Sequence, residues 1–358
     1  MGADSGRKDG PVRLKDIAKD LGVSVVTVSK VLRNHDDISA AMKARVRERM
    51  RQLNYQPNWI ARSLATQRTY IIGLVIPDLS HTFFSEIAKV IGRAVRSQGY
   101  EVLISYSEEV PRIEREAIDR LLHRRVDGLI LASSLPPRDT RVFELMDRNH
   151  VPYVLLDRAI PSLAENYVGN DNEAIGELAT EHLIKVGCRR IAHMRGPELT
   201  TGIGRFNGYR NALSRHGLEM HPHYVTGKES TLALAAGRDP MHQLLRLNPA
   251  LDGVFCHSDG LAVGAMQAIL ESGRKIPANV AVVGVGNIRF SDSLVVPLTT
   301  VDQSCAQMGK SAAALMLKLI QSKREQEWKP IIVPIKLIVR ESTVSPPERD
   351  RGFLPQHA

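Results

Sequence analysis

Residues 14–32 read Leu-Lys-Asp-Ile-Ala-Lys-Asp-Leu-Gly-Val-Ser-Val-Val-Thr-Val-Ser-Lys-Val-Leu, and this stretch decides how the rest of the chain is interpreted. Apolar residues recur at helical spacing on both sides of Gly22, which predicts two short helices joined at a glycine that tolerates a left-handed backbone. Ser24 is placed to cap the second helix. Three residues of that helix are predicted to face inward: Val28, Val31 and Leu32. Six residues lie at its start or on its exposed side: Ser24, Val25, Val26, Thr27, Ser29 and Lys30.

Two short helices of this kind are typical of a helix-turn-helix, whose second helix enters the major groove of DNA. An ordinary helical hairpin with a solvated face is the alternative. A third helix is predicted from Ser39 to Leu53. Its outer face carries five basic residues: Lys43, Arg45, Arg47, Arg49 and Arg51. These side chains either contact phosphates or simply face solvent.

The charge of the chain is concentrated at its beginning. The 358 residues carry a formal net charge of +9, and 43% of them are hydrophobic, which is the composition of a globular protein with more than one domain. Residues 1–70 hold 14 lysines and arginines against 7 acidic residues, so most of the excess positive charge lies there. This distribution predicts a polyanion-binding segment attached to a nearly neutral body.

Features that place a protein in a membrane or outside the cell are missing from the sequence. No apolar run is long enough to cross a bilayer, and the polar residues 1–11 have no apolar core typical of a signal peptide. The cysteines Cys188, Cys256 and Cys305 are scattered and odd in number, which indicates no disulfide framework. The sequence therefore predicts a cytoplasmic protein that makes no membrane contact.

From Tyr70 onward, apolar strands alternate with amphipathic helices. The predicted strands are 71–76, 102–106, 129–132, 153–156, 191–194, 254–256 and 280–285. The predicted helices are 82–98, 112–125, 173–186, 205–215, 261–271 and 305–321. Apolar strands separated by helices favour parallel sheets covered on both faces, here two doubly wound lobes. Ligands bind such sheets beyond the carboxyl ends of the strands, which places a ligand between the lobes.

Several short motifs can be read along residues 12 to about 342. They include Leu14-Lys15-Asp16-Ile17-Ala18, Val23-Ser24 followed by Thr27-Val28-Ser29, Asn54-Tyr55-Gln56-Pro57-Asn58, Asp157-Arg158 and Pro297-Leu298-Thr299-Thr300-Val301. Taken together, these motifs resemble the LacI family of bacterial transcriptional regulators. The resemblance implies an α/β fold with an N-terminal all-α helix-turn-helix head and hinge helix, followed by a two-lobed, doubly wound parallel-sheet domain of the periplasmic-binding-protein type.

The resemblance also implies where the domains begin and end. The head is expected at 12–56, the hinge helix at 57–69 and the two-lobed domain at 70–343. Within that domain, the N-lobe is expected at about 70–170 and 302–328, and the C-lobe at about 171–301 and 329–343. A disordered tail is expected at 1–11 and a second tail at 344–358.

In such a regulator, a homodimer binds pseudo-palindromic double-stranded operator DNA and is controlled by a small-molecule effector, which the sequence does not identify. The resemblance implies twelve DNA-binding positions: Leu14, Ser24, Val25, Val26, Thr27, Ser29, Lys30, Arg33, Tyr55, Asn58, Ala61 and Leu64. Leu64 is expected to wedge into the minor groove at the operator's centre. Residues 57–66 are too few to form a stable helix alone, so a helix that forms only on DNA and a plain linker are both open interpretations.

Loops at the carboxyl ends of strands supply the expected effector-binding residues: His81, Phe83, Phe84, Asp157, Arg158, Thr201, Arg205, Ser258, Asp259 and Asn287. Core packing is the alternative role for the two phenylalanines, and a structural salt bridge is the alternative for Asp157 and Arg158. Asp259 is also placed to cap the helix that follows it.

Two positions depart from the pattern of sugar-binding members. Ile203 stands where those members carry an arginine, and Gly286 stands where they carry an acid. Losing both groups removes two strong orienting hydrogen bonds. We therefore hypothesise that the ligand is not a typical hexose held by that pair, and that Asn287 takes over part of the role.

Enzymatic, cofactor and metal-binding motifs are not found. Gly309-Lys310-Ser311 resembles the end of a P-loop, but Ser304 occupies the place of its first glycine. The histidines show no ligand spacing with acids, so no metal, cofactor or catalytic residue is expected. Two alternatives remain open at this point: a regulator controlled by a phosphorylated carrier-protein corepressor, and a solute-binding protein, which the basic head and polar start disfavour.

Overall fold

The computed structural model describes residues 12–32, 35–55, 63, 66–80, 82–136, 138–226, 236–322 and 329–344. The chain forms two compact units, Met1–Thr69 and Tyr70–Ala358. The predicted tails, except for Val344, and most of the predicted hinge helix 57–69 lie outside the described residues.

The described residues of the first unit form three short helices. These are α1 (Leu14–Leu21), α2 (Val25–Leu32) and α3 (Ala40–Gln52). α1 ends at Gly22, whose φ of 65° is left-handed. The Ser24 hydroxyl accepts a hydrogen bond from the Thr27 N–H at 3.0 Å and caps α2, and the Ser39 hydroxyl caps α3 by accepting from the Met42 N–H. The glycine turn and both caps confirm the predicted helix-turn-helix and third helix.

The three helices share one small apolar core. Its buried members are Ile17, Ala18, Val28, Val31, Val46 and Met50. The prediction that Leu32 faces this core is wrong, because its side chain is 41% exposed. Successive helical residues are about 100° apart, so Leu32 is rotated away from the stripe that Val28 and Val31 bury.

The second unit alternates strands and helices along the chain. Its strands are β1 (Ile71–Ile76), β2 (Glu101–Tyr106), β3 (Gly128–Leu131), β4 (Tyr153–Leu156), β5 (Tyr167–Gly169), β6 (Ile191–Met194), β7 (Gly253–Cys256), β8 (Ala281–Val285), β9 (Thr299–Asp302), β10 (Ile331–Ile332) and β11 (Lys336–Ile338). Its helices are α4 (Thr82–Arg96), α5 (Pro111–His123), α6 (Arg141–Arg148), α7 (Asn172–Lys185), α8 (Thr200–Arg215), α9 (Arg238–Leu247), α10 (Asp259–Glu271) and α11 (Cys305–Gln321).

The strands form two sheets, one for each lobe. The N-lobe sheet has the order β10-β5-β4-β3-β1-β2, and the C-lobe sheet has the order β11-β9-β8-β7-β6. Every pairing is parallel except that of β11 with β9. Apolar clusters fill both faces of both sheets beneath the helices. The predicted two-lobed, doubly wound α/β fold is therefore confirmed.

The chain passes between the lobes after β5, after β9 and after β10. The third passage lies a few residues later than the predicted boundary near residue 329, because Ile331–Ile332 still pair with Val168 and Gly169 of the N-lobe sheet. Nowhere in the described ranges is there a helix both long and apolar enough to span a membrane.

Candidate nucleic-acid interface and inter-lobe site

The exposed side of α2 begins with two valines. Val25 is 45% exposed and Val26 is 60% exposed, whereas Val28 and Val31 on the opposite face are buried. Ser24 and Thr27 pair their hydroxyl oxygens at 2.9 Å, at the point where α2 starts. Each hydroxyl keeps capacity for a further hydrogen bond, because a hydroxyl both donates and accepts. The start of α2 thus presents methyl groups beside two hydroxyls.

Lys30 lies on α2 and forms an ion pair with Asp37, in the loop before α3. The hydrogen bond from the Lys30 ammonium lowers the pKa of the Asp37 carboxyl. Both side chains are substantially exposed, 36% and 52%. The lysine predicted to reach a base is therefore held by a carboxylate of the same unit.

Two arginines of the basic face of α3 are engaged within the unit. Arg49 donates to Asp20 on α1 at 2.6 and 3.0 Å. Arg51 pairs with Glu48 on the same helix at 2.6 Å. The Arg49 pair joins α3 to α1. This side chain therefore has a structural contact and is neither purely solvated nor purely a phosphate ligand.

The remaining predicted DNA-binding positions fall into two groups. Leu14 and Tyr55 are half-buried and pack against the core of the unit, and Ser29 is half-buried on α2. Four of the positions lie outside the described residues: Arg33, Asn58, Ala61 and Leu64. His81, predicted for the effector site, also lies outside them.

In the two-lobed unit, Asp157 follows β4 and is only 5% exposed. Its carboxylate accepts a hydrogen bond from Gln303 Nε2 at 3.3 Å. Burial raises the pKa of Asp157, and the positive charges of Arg205 and Arg158 oppose that shift. A buried carboxylate between two arginines is suited to holding hydroxyl or charged groups, but here protein atoms cover it.

Arg205 lies on α8 and is 3% exposed. Its guanidinium donates to the His257 carbonyl at 2.6 Å and to the Asn172 side-chain oxygen at 3.1 Å. Burial lowers the pKa of Arg205 to about 10, with Asp157 acting in the opposite direction. Thr201, on the same helix, is also buried. The guanidinium thus ties α8 to the start of α7 and to the loop after β7.

Arg158 forms a buried ion pair with Glu109 at 2.6 Å and donates to Ser134 Oγ at 3.1 Å. Its guanidinium carbon lies 5.6 Å from the centre of the Phe84 ring. Phe83 and Phe84 are themselves 5% and 4% exposed and belong to the N-lobe core. In the structure, Arg158 therefore forms a structural ion pair and Phe84 packs in the core, which were the alternatives to an effector-binding role.

Ser258 and Asp259 serve the protein's own backbone. Ser258 caps α10 by accepting from the Leu261 N–H, so the serine performs the capping that was an alternative role for Asp259. The fully buried Asp259 carboxylate accepts from the N–H of Ile288 at 2.9 Å and from the hydroxyls of two other residues. These residues are Ser291 and Thr300. Burial raises the pKa of Asp259. Its oxygens are thus occupied and covered by the protein, and its effector role stays a prediction.

Asn287 follows β8, and its side-chain amide is occupied at both ends. Its Nδ2 donates to Asp302 at 2.7 Å, and its oxygen accepts from Arg340 at 2.9 Å. The hypothesis that this amide replaces the acid missing at Gly286 is therefore not supported, because a ligand would compete with two existing hydrogen bonds.

An open groove of about 720 Å³ lies between the lobes. Residues from α4, the loop after β8 and the start of α11 line it, among them Phe83, Glu86, Gly286, Asn287 and Cys305. Burial raises the pKa of the Cys305 thiol to about 12, so this thiol stays protonated and unreactive at neutral pH. The volume lies in the range of small-molecule sites.

Sequence reasoning missed several residues of this region: Glu86, Glu109, Asn170, His257 and Gln303. Gln303 directly follows β9, a strand that was not among those predicted, so its position at the cleft had no clear signal in the sequence. Glu109 had no local signal, since its partner Arg158 lies far along the chain. Across the described segments, no group of three or more histidine, cysteine or acidic residues is arranged to hold a metal ion.

Comparisons with known proteins agree with this architecture. Residues 13–58 match the family model described as "Bacterial regulatory proteins, lacI family". Residues 69–341 match the model described as "Periplasmic binding proteins and sugar binding domain of LacI family". The ribose operon repressor of Halalkalibacterium halodurans is 34% identical over 333 residues, which cover 92% of this chain and 96% of that protein.

Two solved structures are similar over nearly the same length. The transcriptional regulator CelR–cellobiose complex is 31% identical with a TM-score of 0.69, covering 92% of this chain and 99% of that one. The Lac repressor dimer bound to operator and the anti-inducer ONPF is 27% identical with a TM-score of 0.81, and the match covers 94% of this chain and 100% of that one. Since two family models span most of the chain and a relative above 30% identity covers it, the chain belongs to the LacI family of bacterial transcriptional regulators.

Proposed function

We propose that this chain is a repressor that binds pseudo-palindromic operator DNA as a homodimer and reads each half-site with α2. The observation that carries the proposal is the 45% and 60% exposure of Val25 and Val26 on a helix whose opposite face is packed. Methyl groups presented in this way are suited to contact thymine methyl groups in the major groove. The similar Lac repressor is a dimer bound to operator in its solved structure, which supports the assembly proposed here.

The polar residues around these valines make the other contacts with the operator in this proposal. Lys30 is suited to donate to guanine once its pair with Asp37 is exchanged for a base, because an ammonium is a compact point donor. Ser24, Thr27 and Ser29 are suited to phosphate oxygens near the start of α2. Leu64, with Arg33, Asn58 and Ala61, keeps its predicted role at the operator.

A small molecule bound between the lobes controls this binding in our proposal. The groove lined by Phe83 and Gly286 is the binding site in this proposal, and the buried Asp157 is bonded to Gln303, on one of the passages between the lobes. A sugar is the class of ligand that the relatives support, since one is named a ribose operon repressor and another is solved with cellobiose. Such a regulator acts in the cytoplasm and performs no reaction on its ligand.

Selection of genomic fragments by the full-length chain tests the proposal. The bound fragments are expected to share an inverted repeat, whose half-site is lost when Val25→Ala and Val26→Ala are combined. Val344→Ala is a matched control, because this valine is 46% exposed and lies outside the head. Selection that returns no common sequence, even at low salt, refutes sequence-specific operator binding.

A further inference from the structure

Among the described residues that line the inter-lobe groove, Glu86 on α4 has a carboxylate whose ion pair is long and exposed. We propose that Glu86 is the carboxylate that orients the effector, in place of the acid that Gly286 removes from the opposite wall. This inference rests on the effector site proposed above. Glu86 and Gly286 line the same groove of about 720 Å³.

The other carboxylates near this groove are committed to the protein. Asp302, which also lines it, accepts from the Ser304 N–H at 2.6 Å and from Asn287 Nδ2 at 2.7 Å. Asp259 accepts from three donors and is fully buried. Asp157 is buried and accepts from Gln303. A ligand would have to break existing hydrogen bonds to use any of them.

Glu86 differs from these residues in both exposure and partners. Its side chain is 43% exposed, and its recorded ion-pair partner is Lys89, one turn along α4 at 3.9 Å. A contact of that length between exposed groups is weak and leaves the carboxylate oxygens able to accept from a ligand. Phe83 lies one turn before Glu86 on α4 and is also among the residues that line the groove.

The opposite wall offers room instead of a side chain. Gly286 has a φ of 131°, and a Cβ built there would meet Ile288 at 3.5 Å and Asp259 at 3.7 Å, which are ordinary contact distances. A ligand can therefore approach the backbone at Gly286 closely while its far side reaches Glu86.

The charges of the groove indicate the class of ligand. Glu86 and Asp302 are balanced by Lys89 and Arg289 among the lining residues, so no excess charge favours an ion. A carboxylate accepts strongly from hydroxyl groups. The effector that this groove fits is an uncharged molecule bearing hydroxyl groups, of the size of a monosaccharide or disaccharide.

The test is calorimetric titration of the full-length chain with D-ribose, D-glucose, D-galactose, cellobiose and ribose 5-phosphate. We expect an uncharged sugar to bind the wild type and Glu86→Gln to weaken that binding about tenfold or more. Glu116→Gln is the matched control, since this exposed carboxylate pairs with arginines on α5 and does not line the groove. Monodeoxy analogues of the bound sugar then identify the hydroxyl group that donates to Glu86. Removing that hydroxyl is expected to weaken binding to the wild type but not to the Glu86→Gln variant.

Each result decides the question. Equal sugar affinity for the wild type and Glu86→Gln overturns the role of Glu86. Binding of ribose 5-phosphate alone, or of no probe in the series, overturns the proposed class of ligand. Operator binding by the wild type, measured separately by fluorescence anisotropy, shows whether the proposed regulatory function itself holds.

Discussion

Asn170 and Gln303 hydrogen-bond to each other in both directions. The Asn170 amide donates to the Gln303 carbonyl at 3.2 Å, and the Gln303 amide donates to the Asn170 side-chain oxygen at 3.0 Å. Asn170 also donates to the carbonyl of Val333 at 2.9 Å. These three residues lie on the three passages between the lobes, so one buried side chain joins all of them.

Replacing this side chain is expected to loosen the junction of the lobes. Asn170→Ala leaves buried carbonyls at Gln303 and Val333 without a donor, and we expect the free energy of unfolding to fall by about 2–4 kcal/mol. Urea unfolding of the full-length chain measures the loss. Asn149→Ala, which removes an exposed amide bonded to the end of α6, is expected to cost less than about 0.5 kcal/mol. Equal losses for the two variants would contradict a joining role for Asn170.

Val26 and Val28 lie two residues apart on α2 but face opposite ways. Val26→Ala is expected to weaken specific operator binding roughly five- to tenfold by removing exposed methyl groups, while leaving the stability of the head unchanged. Val28→Ala, in the core, is expected to destabilise the head by about 1–3 kcal/mol. Hydrogen exchange of peptides from residues 14–52 reports stability, and fluorescence anisotropy reports binding. A destabilised head in Val26→Ala would show that this valine acts through packing.

The ion pair between Lys30 and Asp37 is expected to restrain DNA binding. Asp37→Asn frees the lysine, so operator affinity should rise roughly two- to fivefold. Asp36→Asn makes the same change of formal charge one residue earlier and is the matched control. We expect it to give a smaller gain, measured by anisotropy at one fixed salt concentration. Identical gains would mean that only net charge matters. A second substitution, Lys30→Ala, should abolish the advantage of Asp37→Asn.

His193 makes the stability of the C-lobe depend on pH. It is fully buried on β6, with the Phe255 ring centre 4.6 Å away, and burial lowers its pKa from 6.5 to about 3. Below about pH 6.5, His193 binds a proton in the unfolded chain but not in the folded chain. The free energy of unfolding therefore falls as the pH drops towards 3. The slope is up to about 1.4 kcal/mol per pH unit.

His193→Phe keeps an aromatic ring in the stack and removes the titrating group. We expect the unfolding free energy of this variant, relative to wild type, to rise steadily from pH 7 to pH 4. Buried carboxyls such as Asp157 titrate in both proteins and cancel in this difference. His123→Phe, at an exposed position, should show no such trend. A difference that stays constant with pH would rule out a neutral, buried His193.

Local chemistry made the head predictable from sequence. Gly22, Ser24 and Ser39 act on nearby residues, and the structure has the turn at Gly22, the cap at Ser24 and the start of the third helix where the sequence places them. Leu32 was harder to place, because its direction depends on where the buried stripe of a two-turn helix ends. The long apolar strands were also predictable, because burial on both faces leaves a continuous apolar run.

The inter-lobe site was less predictable, for a different reason. β9 reads Thr-Thr-Val-Asp and β10 has only two residues, so neither gives a strand-like pattern. The partners of Arg158 and Gln303 lie 49 and 133 positions away, at Glu109 and Asn170. Such pairs follow from topology, so sequence identified which loops meet but not which side chains are already engaged.

The last two strands have a consequence for biosynthesis. β10 is an edge strand of one sheet and β11 is an edge strand of the other. Both sheets are therefore incomplete until residues 331–338 have been synthesised. On the ribosome, neither lobe gains its final edge strand until synthesis is almost finished, whereas the three helices of the head lie within residues 14–52, share one core and can fold early. A nascent chain that stalls before residue 331 would therefore display a finished head on two incomplete lobes, and a C-terminal deletion of the same extent would damage both at once.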